Sequence, residues 1–150
     1  MTAQSMDRIV HEGNPYGLCD DILDGYFELQ DQQSPFIRPN TALSRGYAAR
    51  WEFNNRRLYL VGLRGWIDGY KQVSQDYLFP DFPERVFAHW LNGRLRAVGG
   101  ELLQYEHSGF QSIYERDVYF TVNDGFLHSV EIIENRKDKD EAIDRYGISE

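Results

Sequence analysis

Tyr47, Ala49, Trp51 and Phe53 alternate with Ala48, Arg50 and Glu52, and a period of two describes a strand with one buried face. Asn54-Asn55 follows, a pair that tolerates positive φ, and Arg57-Leu58-Tyr59-Leu60-Val61 returns. A two-residue loop at Asn54-Asn55 opposes Phe53 to Arg56, Trp51 to Leu58 and Ala49 to Leu60. Hairpins are therefore the strongest local signal in the chain.

A second hairpin joins 114–122 to 126–133. Tyr114, Val118, Phe120 and Val122 share one face, interrupted by Arg116. A two-residue Asp124-Gly125 loop would set Val122 against Leu127 and Val118 against Glu131, mixing the faces. A three-residue Asn123-Asp124-Gly125 loop sets Val122 against Phe126, Phe120 against His128 and Val118 against Val130. The register that keeps apolar residues together is the three-residue one, with Gly125 in the left-handed position.

Between the hairpins, Phe82-Pro83-Glu84 resembles a helix start, and Val86, Phe87, Trp90 and Leu91 fall on one helical face before Asn92-Gly93. The spacing predicts one short helix near 83–92. Strands are expected at Arg94–Val98 and Glu101–His107, and upstream at Gly25–Gln30, while Ser34–Pro39, with two prolines, reads as a loop. The sum is about seven strands and one helix: a mainly β, single-domain antiparallel barrel or sandwich over residues 1–134. Residues 135–150, including Arg136-Lys137-Asp138-Lys139-Asp140-Glu141, read as a charged, frayed tail.

Charge narrows the range of partners. Sixteen Lys and Arg stand against 24 Asp and Glu, a net charge of −8, which argues against nucleic acid and anionic membrane as partners. No apolar run approaches the roughly 18 residues of a membrane span. The acids concentrate in 1–34 and 67–134, whereas 35–66 carries Arg38, Arg45, Arg50, Arg56, Arg57 and Arg64 against Glu52 alone. That basic stretch reads either as internal pairing with acidic neighbours or as an anion-binding strip. The N-terminal MTAQSMDRIVHEG lacks a basic segment followed by an apolar one, and a single cysteine, Cys19, allows no intrachain disulfide. A cytoplasmic location is expected. Asp20 and Asp21 beside Cys19 should raise its thiol pKa and suppress the nucleophilic thiolate.

No metal or cofactor signature is present: His11, His89, His107 and His128 are not spaced as ligand pairs, and no phosphate loop, nucleophile elbow or HExxH occurs. His89 is expected off the main face of the short helix, and His128 as a core or rim imidazole. Residues 104–117, QYEHSGFQSIYERD, are denser in functional side chains than a fold requires. Tyr105 and His107 point to one face, and Tyr114, Glu115 and Arg116 follow the glycine-bearing bend. The stretch fits a general acid–base site, a hydrogen-bonded loop anchor, or a Tyr- and Arg-rich recognition patch. A positioned nucleophile is missing, so no catalytic residue is assigned.

Two strings carry a resemblance. Arg45-Gly46-Tyr47-Ala48-Ala49-Arg50-Trp51-Glu52 with Leu58-Tyr59-Leu60 is the first. The second runs from Phe79-Pro80 through Val86-Phe87-Ala88-His89-Trp90-Leu91-Asn92-Gly93-Arg94-Leu95-Arg96 to Gly109, Ser112, Tyr114, Glu115, Arg116 and Asp117. Together they resemble a group of small uncharacterised bacterial proteins, over roughly residues 15–130. The resemblance implies bacterial origin and a stand-alone domain, and no activity.

Three functions fit these observations. The first is a non-enzymatic interaction module, in its sharpest form an immunity protein that neutralises a basic toxin domain. Its contacts would come from Asp20, Asp21 and Asp24 together with Tyr105, His107, Tyr114, Glu115 and Arg116. The second is a small-ligand-binding barrel whose mouth is lined by Trp51, Tyr105, His107 and Tyr114. The third is an enzyme of unfamiliar type using His107, Glu115 and Arg116.

Overall fold

The computed structural model describes residues 3–107 and 109–135. The strands are β1 (Asp7–His11), β2 (Asn14–Leu18), β3 (Tyr47–Asn54), β4 (Arg57–Ile67), β5 (Lys71–Ser74), β6 (Val86–Phe87), β7 (Gly93–Gln104), β8 (Ile113–Asn123) and β9 (Phe126–Glu134), with helix α1 at Ile22–Leu29. The protein is mainly β, as expected. All nine strands belong to one sheet, in the order β3-β1-β2-β7-β8-β9-β4, and β4 pairs back to β3 to close a ring. β3 occupies one edge of β4, so β9, β6 and β5 share the other, at Arg57, Tyr59–Leu60 and Arg64–Ile67. The pairing is antiparallel except between β1 and β3. The expected tail falls mostly outside the described residues; Asn135, at its head, donates from Nδ2 to the Tyr114 carbonyl at 3.0 Å and to Asp117 at 2.9 Å.

Both central hairpins turn on two residues, and both differ from the expected register. In the first, Asn55 and Arg56 take φ of 50° and 63°, so Asn54 faces Arg57, Phe53 faces Leu58 and Trp51 faces Leu60. The loop is Asn55-Arg56 rather than Asn54-Asn55. Each apolar residue still meets an apolar partner, because a slip of two residues preserves the face. A bulge at Arg50/Trp51 then sets Ala49 against Leu63.

In the second hairpin the loop is Asp124-Gly125, with φ of 49° and 83°, and Val122 faces Leu127. The three-residue loop is thus overturned. The mixed faces that argued against the shorter loop are resolved by a bulge between Thr121 and Val122, which leaves His128 unpaired and sets Phe120 against Val130 and Val118 against Ile132. His128 is exposed at this bulge rather than lodged against Phe120. Gly125 is required twice over, by its positive φ and because a Cβ there would lie 2.7 Å from the Ala88 carbonyl oxygen.

Two elements change type. The helix expected over 83–92 is instead the short strand β6 followed by turns. Val86 and Phe87 pair with Leu60 and Tyr59, and the Ala88 amide donates to the Leu58 carbonyl at 2.8 Å. The exposed edge of β4 offers this segment complete backbone partners, which outweighs a weak helical propensity. His89 accordingly lies exposed in a turn. The strand expected at Gly25–Gln30 is α1. Ile22, Leu23 and Phe27 form its buried stripe, the four-residue spacing of a helix rather than the alternation of a strand. Tyr26 packs on Phe79 and Trp90 at ring separations of 4.8 and 5.0 Å, and Trp90 Nε1 donates to the Ile22 carbonyl.

The core is filled by side chains. Ile9, Leu18, Leu23, Trp51, Leu58, Leu60, Val118, Phe120 and Val122 are at 0% exposure. Trp51 therefore lines no barrel mouth. Truncating it leaves a cavity among rigid neighbours, and Trp51→Ala should destabilise the fold by about 3–5 kcal/mol. Chemical denaturation followed by far-UV circular dichroism measures this; an unchanged midpoint would place Trp51 outside the cooperative core.

Candidate functional site

The stretch 104–117 forms the free end of the β7–β8 hairpin. β2 pairs with β7 only at Ala97 and Val98, and β9 follows β8 only to Arg116. Beyond these points the two strands run on as an arm. Register shifts after Gly99 and Leu102 set Leu102 against Tyr114 and Gln104 against Ile113. Leu102, Tyr105 and Ile113 are exposed by 47%, 53% and 37%, large apolar side chains carried beyond the packed wall.

Polar groups of the same stretch fasten its loop. Ser112 Oγ accepts from the Glu106 amide at 2.9 Å and donates to the Glu106 carbonyl, and Arg96 Nη1 donates to the Phe110 carbonyl at 3.0 Å. The Gln4 amide donates to the Gly109 carbonyl at 2.9 Å. Tyr105 and His107 meet edge to face at 4.9 Å. Arg116 lies between Glu115, at 3.3 Å, and Glu134, at 3.5 Å. Glu115 packs over Gly100, where an added Cβ would come within 2.7 Å of the Glu115 Cβ. Arg116 is thus neutralised by its neighbours rather than presented to a substrate.

A hollow of about 130 Å³ lies beneath the arm, lined by Met6, Cys19, Val98, Leu102, Tyr105, Phe110 and Tyr114. Cys19 brings the acidic segment to the arm. Its amide donates to the Arg96 carbonyl, Asp20 Oδ2 accepts from the Arg96 amide at 2.7 Å, and the Arg96 guanidinium pairs with Asp117 at 3.0 Å. The two stretches singled out in the sequence meet there. The thiol is pushed up to about 11, first by burial and secondarily by Asp20 and Asp117, against the pull of Arg96. The neighbouring carboxylates act in the expected direction, but burial is the larger cause. Among the described residues, no three His, Cys, Asp or Glu side chains are grouped to hold a metal ion.

Asp21 and Asp24 belong to a different centre, which sequence reasoning missed. Asp7, 3% exposed, accepts from Arg45 Nη2 at 2.6 Å, from the Ala49 amide at 2.8 Å and from Trp51 Nε1 at 3.4 Å. Arg45 Nη1 donates to the Ser5 carbonyl, its Nε lies 3.8 Å from Asp21, and its guanidinium lies over the Tyr47 ring. The buried Tyr47 hydroxyl has no hydrogen-bond partner among the described residues, and burial with the nearby carboxylates pushes its pKa up. Asp7 and Arg45 stand 38 positions apart with no motif between them, so only the β1–β3 pairing reveals them. Asp24 is exposed on α1.

No known protein family matches the chain, and neither does any curated protein or solved structure.

Two solution properties follow. Folded protein at about pH 8 should resist thiol alkylation, because Cys19 is protonated there, and should react once denatured; equal rates in the two states would place the thiol in the open. Burial raises the carboxyls of Asp21 and Asp24 above the usual 3.8, with Arg45 opposing. The folded state therefore holds these protons more tightly than the unfolded chain, and their stabilising contribution is lost as pH rises through the raised values. Between about pH 4 and about pH 7 the unfolding midpoint of the Asp21→Asn/Asp24→Asn variant should fall less than that of wild type. Parallel profiles would refute the assignment.

Proposed function

We propose that this chain is a non-enzymatic protein-interaction module that takes a basic partner, in the manner of a bacterial immunity protein occluding a toxin domain. The observation that carries this reading is the arm: Leu102, Tyr105 and Ile113 are each exposed on a two-stranded extension. Exposed apolar and tyrosine side chains of this kind supply the anchors of protein interfaces. Asp20 and Asp117 sit at its base, and the net charge of −8 favours encounter with a cationic surface. Tyr114, Glu115 and Arg116 support the arm from β8, and His107 extends its aromatic face through Tyr105. Of the acidic trio, Asp20 and Asp21 face inward to Arg96 and Arg45, leaving Asp24 as the exposed member whose charge reversal tests steering, its melting temperature recorded alongside.

The test is a quantitative capture from the native host with wild type and the Leu102→Asp/Tyr105→Ala variant as baits. Wild type should retain one stoichiometric basic protein that the variant loses, both baits melting alike. Association of the purified pair should slow as salt rises from about 0.05 to about 0.5 M, and Asp24→Lys should slow it further. Identical captures by both baits would remove the arm from the interface. An association rate flat in salt would remove electrostatic steering.

A further inference from the structure

We propose that Arg8, Arg50 and Arg64 form a binding site for a small, multiply charged oxyanion carrying two or more phosphate groups, on the outer wall of the barrel across β1, β3 and β4. This site is separate from the arm and does not depend on the reading above.

The strand register brings the three arginines together. Arg8 on β1 is the direct partner of Arg50 on β3, Arg50 faces Gly62 on β4, and Arg64 lies two residues beyond Gly62, opposite Ala48. Strand pleating puts all three on one face, with neighbouring strands about 4.8 Å apart. Gly62 and Ala48 keep the floor low. The Arg50 guanidinium lies down across Gly62, where an added Cβ would come within 2.7 Å of Nε and 2.8 Å of Nη2. The resulting depression, of about 430 Å³, is lined by Met6, Arg8, Ala48, Ala49, Arg50, Gly62, Leu63 and Arg64 and by no carboxylate.

What sets these arginines apart is that the register gathers them on one face without a salt bridge; Arg57 and Arg85, which also form none with a described residue, lie apart over the rings of Phe126 and Tyr59. Arg45, Arg94, Arg96 and Arg116 each pair with a carboxylate, and Arg56 donates to backbone carbonyls of β9. The side chains of Arg8, Arg50 and Arg64 form no salt bridge or hydrogen bond with a described residue; Arg64 only covers the Trp66 ring at 5.5 Å. In a chain with 24 acids and 16 Lys and Arg, three like charges are gathered with no described carboxylate in salt-bridge reach, an arrangement that repels itself. An oxyanion would remove the repulsion, and planar guanidinium forks suit phosphate oxygens.

The surroundings favour a small ligand over a polymer. Asp76, which accepts from Ser74 Oγ at 2.8 Å, shares with Arg50 the adjoining depression beyond Gly62. Glu52 follows Arg50 on the same face of β3. A long polyanion leaving the arginines would run into these acids and into a net charge of −8.

Calorimetric titration of the full chain at low salt with inorganic tripolyphosphate, pyrophosphate and sulfate tests the proposal. Tripolyphosphate should bind at least about tenfold tighter than sulfate, and Arg50→Gln/Arg64→Gln should weaken it by at least about tenfold. Arg94→Gln on β7, the same single charge change as Arg8→Gln, should leave it unaltered where Arg8→Gln weakens it. If the double variant does not fold, Arg8→Gln alone should still weaken binding. Several outcomes overturn the proposal: no heat and no thermal stabilisation at millimolar tripolyphosphate, equal affinity in wild type and the arginine variants, or equal loss in Arg94→Gln. A short oligonucleotide that binds tighter than tripolyphosphate would also overturn it, by assigning the strip to a polymer.

Discussion

The ion pair between Asp7 and Arg45 is the contact on which the rest of the wall depends. A carboxylate at 3% exposure is strongly disfavoured unless charge and hydrogen bonds replace water. Here the replacements come from three directions: the guanidinium from the chain leading into β3, the Ala49 amide from β3 itself, and the Trp51 indole from the core. Each donor is useless to Asp7 unless β1 lies parallel against β3. The pair thus fixes the one parallel junction in the sheet, where the ordinary hairpin rules give no guidance. Ser5, held through its carbonyl to Arg45 Nη1, carries the same constraint to the N-terminal segment that reaches Gly109 and the arm.

That dependence explains which parts of the fold were legible. β3, β4, β8 and β9 announce themselves by alternation, and their apolar faces were correctly paired as classes of residue. Their registers were not: the first turn sits one residue later, at Asn55-Arg56, and in the second hairpin a bulge at Thr121/Val122 inserts a residue that face-matching cannot foresee. Glu12-Gly13, with φ of 51° and 79°, closes β1 and β2 in the same way as the other hairpins, but Pro15 and the short apolar run around it hide the strand. At 83–92 the sequence placed Val86, Trp90 and Leu91 correctly in or against the core but missed Ala88, at 0% exposure, and the element is sheet edge and turn rather than a helix.

The candidate site was legible in the same partial way. Residues 104–117 stood out by composition, and they do form a distinct feature, the arm. Its polar members turned out to have two employments. Ser112 and Glu106 fasten the loop, and Arg116 balances Glu115 and Glu134, whereas Tyr105 is left half exposed at the rim of the hollow. Composition cannot separate these roles, since a hydrogen bond to a loop carbonyl and a contact to a partner draw on the same residue types.

Charge sums along the chain were the least reliable guide, and the reason is geometric. The basic stretch 35–66 disperses on folding: Arg38 lies exposed in the segment before β3, Arg45 goes to the interior, Arg56 to the β9 backbone, Arg57 to the Phe126 ring, and Arg50 and Arg64 stay on the outer wall. Arg8, counted among the acids of the N-terminal segment, joins them because β1 lies beside β3. Conversely Asp20 and Asp21, adjacent in sequence, part company: Asp20 accepts from the Arg96 backbone amide, whereas Asp21 pairs with the Arg45 guanidinium. In a sheet closed into a ring, a residue's electrostatic neighbours are its cross-strand partners, typically dozens of positions away. A one-dimensional charge profile therefore identifies which charges exist, while the pairing of strands decides which of them remain uncompensated.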